Sequence, residues 1–396
     1  MSYQIPSQTI RIVLTGGGSG GHTFPLIAVA RELRKMSQKK GQSLELFYIG
    51  PDDFAADFVR QEGIAVKTIL GGKFRRDWSP GNLLKNIVDI FKIIGSLVQT
   101  YYYLLVLMPD AIFSKGGYGS FPVVFWGIIF AIPIFVHESD AVPGLMNKMS
   151  AKFSRTIFVS FPDTQRYFPQ HKTIVTGNPI RIDLVAERID PSRAKELLKL
   201  DNKRPLVLVL GGSQGAQHIN DIILDILPEV IDRVQIVHQT GNKNYQQVQR
   251  EAEIVFREII KSEENKQFYH PYPFLIETDK PVPHSLKFLY AAADLIIARA
   301  GSGLIFEIAA VGKPSIIIPL PWASQGHQLK NAYAYEKSGA CVVVEEKNLR
   351  TNIFSDLILR LLQDKKKLAQ MSKAALSFAK PQAAEVIAQY LWSRGL

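Results

Sequence analysis

Ala293-Asp294-Leu295-Ile296-Ile297-Ala298-Arg299-Ala300-Gly301-Ser302-Gly303-Leu304-Ile305-Phe306-Glu307 reads as three pieces in succession. The apolar run behind Asp294 predicts a buried parallel strand. Ala300-Gly301-Ser302-Gly303 is a turn of small residues, and a helix is predicted over 304–311, ended by Gly312 and Pro314. A second apolar strand, 315–319, leads into a polar loop over 322–328. A strand, a glycine turn and a helix N-terminus together make a site for pyrophosphate. Backbone N–H groups point at the anion, and glycine lets the chain approach closely. On this reading Arg299 adds a fixed cation and Glu307 accepts both hydroxyls of a ribose. His327 and Gln328 lie beyond the next strand, where a sugar is expected. The stretch reads as a nucleotide-sugar site.

Outward from it, the pattern repeats. In the second half, strand 205–210 runs into Gly211-Gly212-Ser213-Gln214-Gly215-Ala216, followed by a helix over 220–230. In the first half, strand 11–15 runs into Gly16-Gly17-Gly18-Ser19-Gly20-Gly21-His22, and Phe24-Pro25 opens a helix through residue 34. Further strands are predicted at 44–49, 65–70, 110–114, 133–137, 157–159 and 172–175, then at 234–239 and 341–344. One glycine unit per half suggests two Rossmann-like, doubly wound α/β domains facing each other across a cleft. The expected boundaries are 1–178, 179–380, and a last helix over 381–396 that turns back at Lys380-Pro381. The aromatic and proline-rich stretch 267–283 reads as a loop or hairpin.

Length and charge bound the function. A chain of 396 residues is too long for one core. The net charge of +11 implies an anionic partner. The basic residues are scattered rather than gathered on a face with stacking aromatics, which argues against nucleic acid. The lone Cys341 excludes an internal disulfide framework and fits a reducing cytoplasm. No Asp-x-Asp at a strand end or His/Cys spacing suggests a metal, so no metal or other cofactor is expected. Backbone amides, helix dipoles and arginines are left to stabilise a leaving group. Within the long apolar helical region 82–108, the charge-free part 93–109 is borderline for a bilayer, but its tyrosines, Gln99 and Thr100 favour a buried or membrane-facing helix.

Taken together, the motifs GGGSGGHTFP, KGGYGSFP, HESDAVPGLMNKM, TGNPIR, GGSQGA, HQTG and RAGSGLIFEIAAVGKP with HQLKNA closely resemble those of the MurG family. These are the bacterial N-acetylglucosaminyltransferases of peptidoglycan synthesis. One glycine loop would be weak evidence, but the ordered set spans most of the chain. The resemblance implies a GT-B fold with the lipid acceptor in the N-terminal domain and the donor in the C-terminal one. It implies inverting transfer of N-acetylglucosamine from UDP-N-acetylglucosamine to the muramyl 4-hydroxyl of lipid I, giving lipid II. It carries donor contacts onto Ser19, Gly20, Gly21, Asp140, Arg181, Ser213, Gln328 and the run Ser302, Gly303, Leu304, Ile305, Phe306, Glu307. It puts His22, Tyr118 and Glu138 in the acceptor or catalytic region.

His22, closing a glycine loop at a helix N-terminus, suits a base acting on the attacking hydroxyl, with Glu138 as the rival. Three departures stand out: Ser19 where the family usually has Thr, Ser120-Phe121-Pro122 where Ser-Gly-Pro is usual, and HESD where HEQN is usual. Asp140 thereby replaces an amide, and a carboxylate accepts hydrogen bonds without donating any. The alternatives are another GT-B enzyme with a different glycolipid acceptor, a sugar-nucleotide epimerase, or a non-catalytic nucleotide-sugar-binding scaffold. Because the acceptor is held in a bilayer, peripheral attachment to the anionic cytoplasmic face of the inner membrane is expected. The basic residues Lys73, Arg75, Arg76, Lys85 and Lys92, interleaved with Phe74, Trp78 and Phe91, are the proposed means.

Overall fold

The computed structural model describes residues 9–17, 20–72, 80–185, 187–211, 216–322 and 326–394. The chain forms two compact units, one of Met1–Ile180 with Lys380–Leu396, the other of Arg181–Ala379. Each is an all-parallel sheet with helices on both faces. Both-face cover explains the near-continuous apolar strands, with every residue buried in β4 (Ala111–Ser114), β5 (Ile134–Glu138) and β8 (Leu206–Leu210).

The first unit has strand order β3-β2-β1-β4-β5-β6-β7. Here β1 is Ile10–Thr15, β2 Leu44–Pro51, β3 Ala65–Ile69, β6 Thr156–Val159 and β7 Thr173–Val175. The second has order β10-β9-β8-β11-β12-β13, with β9 Gln235–Gln239, β10 Tyr269–Tyr272, β11 Leu295–Ala298, β12 Ser315–Ile317 and β13 Cys341–Val343. In each order the direction of winding reverses between two central strands, β1 and β4 or β8 and β11. A doubly wound sheet binds its ligands outside the carboxyl ends at that reversal.

An aspartate stitches each reversal at its far end. Asp110 Oδ2 accepts the Arg11 N–H at 2.7 Å, and the Asp110 N–H donates to the Arg11 carbonyl at 2.8 Å. Asp294 Oδ2 likewise accepts the Leu206 N–H at 2.8 Å while the Asp294 N–H donates to the Leu206 carbonyl at 2.9 Å. The resulting register sets Thr15 opposite Ser114 and Leu210 opposite Ala298, so the functional loops leave their strands side by side.

Beyond small shifts at helix ends, two differences from the sequence reading bear on the fold. The first helix, α1, runs Gly20–Lys40, longer at both ends than 24–34. The glycines offer no side chain to oppose the first turn, and the helix runs on until Gly41, whose φ of 62° ends it. Within 267–283, Tyr269–Tyr272 is a strand, not a hairpin arm; it lies at the sheet edge and pairs in parallel with β9. Pro271 disguises it, and an edge strand, with one side unpaired, is where proline is tolerated.

The helix α14 (Ala383–Arg394) belongs to the first unit and packs on α1. Ala384, Ile387, Ala388, Leu391 and Trp392 enter the core beneath β1, with Trp392 only 2% exposed. The Lys40 ammonium sits 5.3 Å from the Trp392 ring centroid. Trp392→Ala is expected to cost about 3 kcal/mol through the cavity it leaves. Calorimetry of the full chain should show a lowered melting transition, and an unchanged transition would remove α14 from the core.

Candidate functional site

In the first unit the candidate residues gather at the carboxyl ends of β1, β4 and β5. Gly20 and Gly21 are the first residues of α1, and His22 follows in its first turn. His22 Nδ1 lies 2.8 Å from the Gly17 carbonyl oxygen. A carbonyl can only accept, so Nδ1 carries the hydrogen and Nε2 presents the lone pair. The chain thus fixes the tautomer a base requires.

The second glycine loop lies against this histidine. Gly117 has φ 82° and ψ 171°, a conformation essentially confined to glycine. A Cβ there would come within 2.9 Å of the Gly17 oxygen and 3.1 Å of His22 Nδ1. Tyr118, the next residue, donates its hydroxyl to Asp53 Oδ2 at 3.2 Å. Burial, and then Asp53, push that phenol up to about 12, so it remains a donor.

Glu138 ends β5 and is almost wholly buried. Its Oε1 accepts the Asp140 N–H at 2.9 Å, and its Oε2 accepts the Gly144 N–H at 3.0 Å and Asn147 Nδ2 at 2.8 Å. Burial, and then Asp140, raise its pKa. A carboxylate spent on three internal donors organises the 139–144 loop. Asp140 is half-buried in this loop, and its carbonyl accepts the Thr164 hydroxyl at 3.2 Å.

Sequence reasoning assigned no role to Lys115, although it opens the KGGY motif. It is buried at the end of β4, with Nζ hydrogen-bonded to His137 Nδ1 and Ser139 Oγ. His137 Nε2 donates to the Gly177 carbonyl at 3.0 Å, which leaves Nδ1 as the acceptor for Lys115. Burial pushes the ammonium well below its ordinary pKa, opposed by Glu138 and Asp140. A lysine at the carboxyl end of a largely apolar strand was the available signal. Ser19 lies outside the described residues.

In the second unit, α10 (Ser302–Ala310) starts at the end of β11, with Gly301 as its N-cap. The Ile305 N–H already donates to the Gly301 carbonyl at 3.0 Å. Helix geometry therefore leaves the N–H groups of Ser302, Gly303 and Leu304 as those without an intrahelical acceptor. Ile305 and Phe306 are buried side chains, Phe306 lying 5.1 Å from the Phe378 ring, so they build the core under the turn.

Arg299 departs from expectation. Its charge is buried, and a buried charge needs a partner. Nη2 pairs with Glu346 at 3.1 Å and Nη1 donates to the Ile318 carbonyl at 3.3 Å. It braces the carboxyl ends of β11 and β12, and Glu346 balances its charge. Glu307, in the second turn of α10, is gripped by Arg181 through two bonds of 2.8 Å, Nε to Oε1 and Nη2 to Oε2. Burial opposes the Arg181 charge, but Glu307 more than offsets it and holds the guanidinium above its ordinary pKa. Gln328 Oε1 accepts the Leu320 N–H at 3.0 Å, and His327 is the first residue of α11 (His327–Glu336). Ser213 lies outside the described residues.

The glycosyltransferase family 28 N-terminal domain model matches residues 12–159 and the C-terminal domain model residues 206–387. The UDP-N-acetylglucosamine–N-acetylmuramyl-(pentapeptide) pyrophosphoryl-undecaprenol N-acetylglucosamine transferase of Clostridium tetani is 33% identical, with 92% of this chain and 93% of that one covered. This chain belongs to that family, the MurG family of glycosyltransferases. The crystal structure of Acinetobacter baumannii MurG superposes with a TM-score of 0.72 at 24% identity, covering 97% of this chain and 99% of that one. The MurG fold is shared more widely. The UDP-GlcNAc 2-epimerase of Neisseria meningitidis, solved with UDP-GlcNAc, gives 0.65 at 13% identity, covering 98% and 100%. The likeness between these solved structures and this chain is one of fold, the GT-B arrangement of two parallel-sheet units.

The glycine loops make a sharp contrast for MurG chemistry. Gly117→Ala meets both a forbidden backbone conformation and His22, and is expected to lose about 1–3 kcal/mol and most turnover. Gly144 has φ −64° and open space where a Cβ would go, so Gly144→Ala should behave as wild type. Paired turnover and melting measurements check both.

Proposed function

We infer that this chain transfers N-acetylglucosamine from UDP-N-acetylglucosamine to the muramyl 4-hydroxyl of lipid I, forming lipid II with inversion at the anomeric carbon. The observation that carries this reading is identity to a transferase of that name across more than nine-tenths of both chains. The residues supply a consistent chemistry. The 4-hydroxyl oxygen attacks the anomeric carbon as the bond from that carbon to the UDP oxygen breaks. The hydroxyl proton passes to His22 Nε2, whose tautomer is held by Gly17. The diphosphate leaves toward the first-turn N–H groups of α10, whose dipole favours the anion. Glu307 accepts from the ribose, and Gln328 and His327 flank the sugar; the family's motifs assign Gly20, Gly21 and Asp140 to the donor as well. No nucleic acid enters this reading.

The lipid acceptor asks for a membrane contact, and helix α3 (Pro80–Leu107) supports one. By length and composition its stretch Lys85–Leu107 is apolar enough to cross a bilayer. Yet it is fastened to the unit through polar groups. Gln99 Oε1 accepts the Leu70 N–H at 2.9 Å, and the Leu97 carbonyl accepts Trp126 Nε1 at 2.8 Å. Asn86, Asp89, Ser96 and Thr100 are buried, while Phe91 is 69% and Val98 65% exposed. The buried face also holds Leu104 and Leu107, so α3 packs by apolar as well as polar groups and still leaves an exposed apolar strip, which suits an apolar medium. We read α3 as lying in the interface without spanning, with Lys85 and Lys92 toward the anionic headgroups. Lys73, Arg75, Arg76 and Trp78 lie outside the described residues.

Glu307→Ala should raise the Michaelis constant for UDP-N-acetylglucosamine about tenfold, since unpaired ribose hydroxyls in a partly dry site cost roughly 1–3 kcal/mol. Unchanged donor kinetics would sink the ribose assignment. His22→Ala should lower turnover about a hundredfold with donor affinity kept; intact turnover would hand the base role elsewhere. For the membrane, the protein should float with anionic liposomes at low salt and less with neutral ones. Phe91→Asp combined with Val98→Asp should abolish flotation without weakening UDP binding, and persistence of flotation in that variant would exclude α3.

A further inference from the structure

The second unit holds a buried phenol next to Glu307 that neither the motifs nor the proposed reaction employ. Tyr290 lies in α9 (Leu286–Ala292), the helix that precedes β11. It is fully buried, and its hydroxyl donates to Glu307 Oε2 at 3.2 Å. Burial, and then Glu307, hold the phenol well above its ordinary pKa, so it keeps its proton and can only donate here.

The geometry of the carboxylate follows from counting its acceptor sites. An ionised carboxylate offers about four lone-pair positions. Arg181 takes one on each oxygen and Tyr290 a second one on Oε2. The guanidinium fixes the plane of the carboxylate, because a forked pair tolerates little rotation. Tyr290, reaching it from the core, fixes which oxygen points inward. What is left is one acceptor site on Oε1, room for one ribose hydroxyl rather than the two expected from the sequence. A carboxylate meant only to neutralise Arg181 would need no third bond, and phenylalanine would fill the same core volume.

We propose that Tyr290 is a positioning residue that, together with Arg181, orients the Glu307 carboxylate so that it discriminates ribose hydroxyls in the nucleotide. This rests on the reading of Glu307 as the ribose acceptor and adds the residue that gives that acceptor its direction. Tyr290 does not touch the nucleotide itself. Its removal should therefore act on the hydroxyl-dependent part of affinity alone.

The test compares UDP with 2′,3′-dideoxy-UDP by calorimetric titration against the full chain and Tyr290→Phe. The wild type is expected to bind UDP at least tenfold more tightly than the dideoxy compound. Tyr290→Phe should shrink that ratio at least threefold by weakening UDP, leaving the dideoxy affinity unmoved. 4-Aminophenylalanine at position 290, which keeps a donor, should restore the ratio. In turnover assays Tyr290→Phe should raise the donor KM and leave kcat unchanged. A wild-type protein that does not distinguish the two ligands overturns the ribose reading and the proposal with it. A wild type that discriminates beside a Tyr290→Phe variant with the same ratio overturns the proposal alone. Equal weakening of both ligands also overturns it, marking Tyr290 as a core residue. Should Tyr290→Phe fail to fold, 4-fluorophenylalanine, which keeps the volume and cannot donate, replaces it under the same criteria.

Discussion

Each sheet depends on an aspartate that closes the blind end of its central strand pair. Asp110 and Asp294 both accept an N–H from the first part of the neighbouring strand while their own N–H donates back. That double tie sets the register at the winding reversal, and a parallel sheet carries the register unchanged to the opposite end. There it decides which loop residues meet. The contact between Gly117 and His22, and the exit of β8 beside that of β11, are consequences of pairing fixed a strand length away.

Much of this was legible because the relevant signals are local. Apolar runs, glycine turns and the restart of the pattern in the second half identify two parallel α/β units without knowledge of any contact. The misread elements are those where tertiary context outweighs composition. Tyr269–Tyr272 contains a proline, and only its position at an edge makes it a strand. The site was legible by residue type but not by pairing. Arg299 and Arg181 look alike in sequence, each a cation near a glycine or proline turn. One is neutralised by Glu346 and the other grips Glu307, and nothing in residue spacing distinguishes partners 47 and 126 positions away. Glu138 likewise reads as a free carboxylate until its three donors, two of them backbone, are seen.

The two units solve the problem of precise placement with different materials. In the first, backbone does the work: a carbonyl sets the histidine tautomer, and a glycine conformation closed to other residues makes room for the ring. In the second, charge does it, with a forked guanidinium and a phenol converging on one carboxylate. Substitutions will fail differently in each. Changes near His22 will be read as steric and conformational, whereas changes near Glu307 will be read as lost polarity with the shape largely preserved.

The return of α14 to α1 has a consequence for biosynthesis. The core under β1 includes Ile387, Leu391 and Trp392, which a ribosome makes only after the whole of Arg181–Ala379. The first unit therefore emerges with an apolar strip along α1 uncovered, and it waits in that condition while the second unit is synthesised and folds. The two units are thus not completed in the order in which they begin: the one started first is finished last. For that interval the nascent chain carries an open apolar strip, the kind of surface that makes unfinished chains prone to aggregate.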